Sequence, residues 1–296
     1  MEPLPLGGPD GPPYSKGLMA RALMATGLRA DRAYELARRV EKDLRRLPGE
    51  SVSLNRIGEL AVELFGEQEG TRVAGSLRRY HGLQELDVPI VLLVGGATGT
   101  GKSTIATQAA YRLGITRVTS TDFIRQTMRA FFSGEFMPSI HYSSFEAKVA
   151  GESEDGPEGG MLPGFLDQTR NVLVGVRAAI DRALQEGWSL VIEGVHLVPG
   201  MLPPIDGPLV VQAVVAIDDE EDHLGHFYIR DAASEGLRPL DKYVSHFGDI
   251  RALQEYIVER ARRNDVPVIV NEDLDDAVAA VMELVLERAE QVQTVA

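Results

Sequence analysis

The sequence of 296 residues contains no cysteine. Disulfide frameworks, thiolate metal sites and cysteine nucleophiles are therefore excluded. It has no run of about 18 apolar residues, so no transmembrane helix and no membrane partner are expected. Its first residues, MEPLPLGGPDGPPYSKG, lack a basic region followed by an apolar stretch. That start does not read as a signal peptide, and a cytoplasmic location is expected. Basic residues are in deficit: 30 Lys and Arg face 44 Asp and Glu, a net charge of −14. A general nucleic-acid binder needs a basic face that releases counterions, so no nucleic-acid partner is expected. A local basic pocket for a small anion is still compatible with this balance.

What is present is an ordinary globular composition, 44% hydrophobic and 25% charged. The length suits one large domain or two modest ones. Residues 1–14 are rich in Pro and Gly and read as an irregular arm. Residues 15–86 carry apolar side chains at helical spacing, among them Leu36, Ala37 and Val40, then Ile57, Leu60, Ala61 and Leu64. Gly27 and Leu47-Pro48-Gly49 punctuate the run. The spacing predicts a small all-helical module of four short helices.

The character changes at Val88. Pro89–Val94 is a continuous apolar run, as in a strand buried on both faces of a parallel sheet. Further strands are expected at Thr116–Ser120, Trp188–Ile192, Leu209–Ile217 and Val266–Val270. Helices are expected at Ile105–Leu113, 122–132, Thr169–Gln185, 219–232, 248–263 and 273–291. Residues 150–164 are Gly-rich and acidic and read as a loop. Alternating strands and helices predict an α/β domain over 87–296 with a parallel sheet.

Gly96-Ala97-Thr98-Gly99-Thr100-Gly101-Lys102-Ser103 matches G-x-x-x-x-G-K-[ST], with an apolar strand before it and a helix after it. The glycines let backbone N–H groups converge on phosphate oxygens, and the helix N-terminus adds the positive end of its dipole. Lys102 can reach the β- and γ-phosphates, and the Ser103 hydroxyl can ligate Mg²⁺. Nucleotide contacts are expected from Gly96 through Thr104. Ser189–Gly194 is an apolar strand ending in an acid, so Glu193 can hold a Mg²⁺-bound water or orient substrate. His196 reads as a satisfied histidine beside the sheet.

Asp122 closes the second strand, on the edge where open parallel sheets bind ligands. A carboxylate there can position an acceptor hydroxyl and take its proton. The other reading makes Asp122 the N-cap of the next helix. Arg125, one turn on, can grip an anionic substrate. Arg230 and Arg238 lie in a segment, about 219–247, that in small P-loop kinases forms a lid whose arginines neutralise the transferring phosphoryl group. Lys242 and His246 rank lower.

Four stretches together resemble the 2-phosphoglycerate kinase family. They are the helical run Tyr14–Ala37, the P-loop Gly95–Thr104, Ser120–Arg125, and the run from Arg251–Ile257 to Val266–Asn271. The resemblance implies a P-loop NTPase-type three-layer parallel sheet, small-molecule kinase-like, preceded by a small all-α module like an ATP-cone. It implies ATP and Mg²⁺ as cofactors and phosphorylation of 2-phosphoglycerate to 2,3-bisphosphoglycerate. Such an acceptor is a trianion. Arg129, Arg170 and Arg177 then join Arg125, Asp122 and Glu193 as substrate-binding candidates, the last two arginines sharing a helix face. The Pro/Gly-rich Leu4–Tyr14 stands where an ATP-cone has a basic strand pair, so the module either packs on the kinase domain or mediates homo-oligomers. Two alternatives stay open. One is a P-loop kinase for a sugar, nucleoside or amino-sugar nucleotide. The other is a nucleotide-sensing regulator without transfer.

Overall fold

The computed structural model describes residues 4–7, 13–46, 51–86, 88–147, 161–233 and 240–295, with the backbone alone for 230–233, 294 and 295. Contacts divide the chain into two units, with one division at Val88/Pro89. The first unit holds Met1–Val88 together with Thr107–Thr116 and Asp275–Ala296.

This first unit is helical. Its N-terminal part runs α1 (Lys16–Ala25), α2 (Ala30–Leu44), α3 (Leu54–Phe65) and α4 (Glu67–Glu85). Ser15 and Ser53 cap α1 and α3, each hydroxyl accepting from a backbone N–H three residues on. Capping of this kind is worth about 1 kcal/mol per helix. The expected apolar stripes are the buried ones: Leu36, Ala37 and Val40 on α2, Ile57, Leu60 and Ala61 on α3. Arg56 joins α3 to α2 through both oxygens of Asp43, at 2.8 and 3.1 Å. The arm is less irregular than its composition suggests. Leu4 is buried, and Leu6 O accepts from Val52 N at 2.8 Å beside a Gly7–Ser51 bridge. Burial of the leucine and this backbone pairing outweigh the turn-forming Pro and Gly. The C-terminal helix belongs to this unit because its charges meet it: Arg79 pairs with Glu283 and Arg112 with Asp275.

The second unit, Pro89–Ala106 and Arg117–Leu274, carries the sheet. Strands β1 (Ile90–Gly95), β2 (Val118–Ser120), β3 (Leu190–Gly194), β4 (Leu209–Ala216) and β5 (Val268–Val270) are all parallel, in the order β2-β3-β1-β4-β5. Helix α5 (Lys102–Leu113) follows β1, α6 (Thr121–Phe131) follows β2, and α7 (Met161–Gln185) precedes β3. After β4 come α8 (Glu220–Ala233), α9 (Leu240–Ser245) and α10 (Phe247–Arg263), and α11 (Leu274–Val295) closes the chain. Val91, Leu93, Leu190 and Ile192 pack on Val172, Val176 and Ile180 of α7. Val214 packs with Ile250, Leu253 and Ile257 of α10. On the opposite face Leu92, Val94, Val211 and Val215 are equally buried, so the sheet is covered on both sides. That double burial explains why β1 reads as an unbroken apolar run.

Several boundaries shift from expectation, and two of them matter for the site. Met161–Gly164 open α7 instead of ending a loop, because Gly164 and Phe165 are buried in its packed face. The rest of the expected loop, from residue 150 to 160, lies outside the described residues. Strand β3 runs two residues later than predicted, which puts Glu193 inside it, in register with Val94 and Ser120.

Candidate active site

The loop between β1 and α5 carries the Gly96–Ser103 motif. Gly96, Gly99 and Gly101 all have positive φ. The Lys102 ammonium rests on the Ala97 carbonyl at 3.2 Å, and the Thr100 hydroxyl donates to the same oxygen at 3.1 Å. Ala97 and Thr100 are fully buried and support the loop. Thr98, Gly99, Gly101, Lys102, Ser103 and Thr104 form one wall of a cavity of about 570 Å³. Ser120, Asp122, Glu193 and Gly194 form another. Parallel strands end together at this edge, and so the P-loop and the two carboxylates converge.

Ser120 is the N-cap of α6, its hydroxyl accepting from Phe123 N at 3.0 Å. The capping role considered for Asp122 therefore belongs to Ser120. Asp122 sits in the first turn with an exposed side chain that faces the cavity, yet it is ringed by protein atoms. Crowding pushes its carboxyl up, while the standing positive charges of Arg125 and Lys102 pull it down, and the net shift is downward. Asp122 is thus ionised at neutral pH and able to accept a proton only transiently. Glu193 is nearly buried and still reaches the cavity.

Arg125 is not the open anion grip expected from its spacing. It is buried, its Nη1 donates to Ile140 O at 3.0 Å and Tyr142 O at 2.8 Å, and its Nε lies 3.3 Å from Asp122 Oδ1. The guanidinium fastens the 3-10 turn Pro138–His141 and its flank beside Asp122. A second buried chain does the same from the other side. Thr121 Oγ1 bonds His196 Nδ1, His196 Nε2 bonds Gln168 Oε1, both at 2.8 Å, and Gln168 Nε2 donates to Ser139 O at 2.6 Å. His196 is the satisfied histidine that the sequence suggested. Burial drives its pKa down to about 3, so the ring is neutral.

Arg129, Arg170 and Arg177 do not line this cavity. Arg129 is half-buried and donates to Gln126 at 3.1 Å. The face of α7 with Gln168, Val172, Val176 and Ile180 is the packed one, which turns Arg170 outward. Arg177 pairs with Asp181 at 2.8 Å and donates to Pro204 O at 3.0 Å. Lys242 pairs with Glu146 at 2.6 Å, and His246 Nδ1 bonds Lys242 O at 3.0 Å. The Arg230 side chain and all of Arg238 lie outside the described residues.

Three side chains near the P-loop were not anticipated. His223, His226 and Asn271 bond the carbonyls of Thr98, Gly99 and Thr100. Asn271 closes the C-terminal run quoted above, but nothing local marks its role.

Among the described residues no group of three or more His, Asp or Glu side chains is placed to hold a metal alone. The cavity wall carries Asp122, Glu193 and Glu272 against the one ammonium of Lys102. A polyphosphate entering such a wall needs added positive charge. Mg²⁺ commonly rides on phosphate oxygens with one or two carboxylates and several waters, so these residues fit it.

No protein-family model matches the chain. The 2-phosphoglycerate kinase of Methanothermobacter thermautotrophicus is 38% identical over 265 residues, 88% of this chain and 86% of its own length. That of Pyrococcus horikoshii is 35% identical over 278 residues, 93% of this chain and 90% of its own. The chain belongs to the 2-phosphoglycerate kinase family. A solved Thermus thermophilus protein is 20% identical, covers 68% of this chain and 97% of its own, and superposes with a TM-score of 0.39, too low to carry an argument. In this member of the 2-phosphoglycerate kinase family, P-loop, Asp122 and Glu193 share one cavity. No helix among the described residues is long and apolar enough to cross a membrane.

Proposed function

We propose that this chain transfers the γ-phosphoryl group of ATP to the hydroxyl of 2-phosphoglycerate, giving ADP and 2,3-bisphosphoglycerate. The observation that carries the proposal is the single cavity with Lys102 and Ser103 on one wall and Asp122 on the other, in a chain of this family. The P-loop N–H groups and Lys102 bind the phosphates and neutralise charge on the transferring group. Asp122 orients the acceptor hydroxyl and takes its proton as the new P–O bond forms and the bond to ADP breaks. The Ser103 hydroxyl and Glu193 would hold Mg²⁺ beside the phosphates, where it would supply further charge neutralisation. Arg125 acts by holding Asp122 and the Ile140–Tyr142 turn, not by gripping the acceptor. Transfer chemistry of this kind asks mainly for positioning, which rigid strand ends provide. A cytoplasmic location belongs to the same proposal, since ATP and a phosphorylated acid are available together there.

The test is product identity. Incubation with ATP, Mg²⁺ and 2-phosphoglycerate should yield an acid carrying one additional phosphoryl group, detected by mass spectrometry and ³¹P resonance. ATP consumed with only inorganic phosphate released would refute transfer to this acceptor.

A further inference from the structure

Four consecutive P-loop carbonyls are all engaged. Ala97 O accepts from Thr100 Oγ1 and Lys102 Nζ. Thr98 O meets His223 Nε2 and Gly99 O meets His226 Nδ1, both at 2.8 Å, and Thr100 O accepts from Asn271 Nδ2 at 3.0 Å. Carbonyls only accept, so each imidazole nitrogen in contact carries the proton. The two histidines use different ring atoms, and both come from α8, one turn apart.

Peptide geometry turns these contacts into an aiming device. No cis bond occurs among the described residues. In a trans peptide the N–H points opposite to the preceding C=O. Fixing the carbonyls of Thr98, Gly99 and Thr100 therefore fixes the N–H groups of Gly99, Thr100 and Gly101. Those groups point away from the side-chain partners of the carbonyls; Gly99 and Gly101 line the cavity, with His226 and Asn271 on its edge. Among the described residues none of the three donates to a backbone carbonyl.

We infer that His223, His226 and Asn271 are positioning residues that preset the P-loop amides for a nucleotide's phosphates. The histidines are themselves held. His223 is buried, stacks on Phe227 at 5.5 Å, and has Arg251 Nη1 3.5 Å from its Nδ1. Burial lowers the His223 pKa, which keeps the ring neutral with its proton on Nε2. Arg251 is anchored in turn by Ile217 O at 2.7 Å and Asp218 O at 3.0 Å. Without a clamp a peptide can flip its carbonyl toward the phosphates, and one N–H donor becomes a repelling oxygen.

The inference rests on the P-loop being the nucleotide site, and the test separates the two. An asparagine amide nitrogen stands near the place of a histidine Nδ1, a glutamine amide nitrogen near Nε2. The full-length protein is titrated with MgADP in a calorimeter, and KM for both substrates is measured. His226→Asn should keep the MgADP Kd within about threefold, and His226→Gln should raise it about tenfold, the scale of one lost buried hydrogen bond. At position 223 the order should reverse: Gln rescues and Asn does not. KM for 2-phosphoglycerate should not move in any of them. Asn and Gln behaving alike at position 226 would overturn the clamp. A purely structural role would also give that result, with melting temperature and both KM values moving together. If the buried 223 variants fail to fold, the half-buried 226 pair decides alone. Lys102→Ala is the control: unchanged MgADP affinity there would overturn the nucleotide-site reading itself, whatever the histidines do.

Discussion

Replacing Gly99 with alanine should damage the protein in two separable ways. Gly99 has φ +89°, and a left-handed backbone costs a non-glycine residue about 1–2 kcal/mol. The added Cβ would stand 2.6 Å from Phe227 Cζ and 2.9 Å from His223 Nε2. Neither neighbour has room to yield. Phe227 is buried and lies between the His223 ring at 5.5 Å and the Tyr243 ring at 5.2 Å. Overpacking of that kind adds about 1–3 kcal/mol. The sum is about 2–5 kcal/mol, a large share of an ordinary domain's stability. Gly187 supplies the comparison, with φ +67° and nothing within 4 Å of an added Cβ. Gly187→Ala should then cost only the backbone part, about 1–2 kcal/mol. Urea unfolding of the two variants and the parent, followed by circular dichroism, measures the difference. MgADP affinity should fall for Gly99→Ala and hold for Gly187→Ala. Equal destabilisation by the two substitutions would refute the packing of Phe227 and His223 against the loop.

Three further outcomes are expected. Asp122→Asn should lower kcat by about 10²-fold or more, the usual scale for a positioned base, with little change in ATP KM. Because the Asp122 pKa lies below its ordinary value, its acid limb in a pH–rate profile should fall below about pH 3.9, and a limb near pH 6 would show that another group is the base. Stability should decline as pH drops from 6.5 toward about 3, because the unfolded chain takes up the proton that buried His196 refuses; denaturant unfolding of His196→Gln against the parent should show a shallower decline over that window. Lys102→Ala should abolish phosphoryl transfer while leaving the melting temperature nearly unchanged, as the hydrogen bond it gives up is to Ala97 O in a half-exposed setting.

The parts of this site legible from sequence were the local ones. A P-loop is eight consecutive residues whose chemistry depends on each other, and the flanking strand and helix read clearly from hydrophobic pattern. Asp122 and Glu193 were legible because strand ends in a parallel sheet converge on one edge. What failed needed tertiary knowledge. Seven-residue spacing says that Arg170 and Arg177 share a face of α7, but only Gln168, Val172 and Val176 taking the packed side reveals that it is the outer face. Arg125 has the right spacing to reach a ligand, and two carbonyls of a distant turn claim it instead. The clamps were invisible for the same reason: Asn271 reaches a carbonyl 171 residues earlier in the chain. The C-terminal helix reads as part of the sheet domain by position, yet its ion pairs tie it to the helical unit.

Phosphoryl transfer to 2-phosphoglycerate is read from the rate of ADP release from MgATP. The rate should rise strongly with 2-phosphoglycerate and stay at background with 3-phosphoglycerate, glycerate or sugars. Stimulation by one of those other acceptors and none by 2-phosphoglycerate would contradict the account while leaving the P-loop cavity in place.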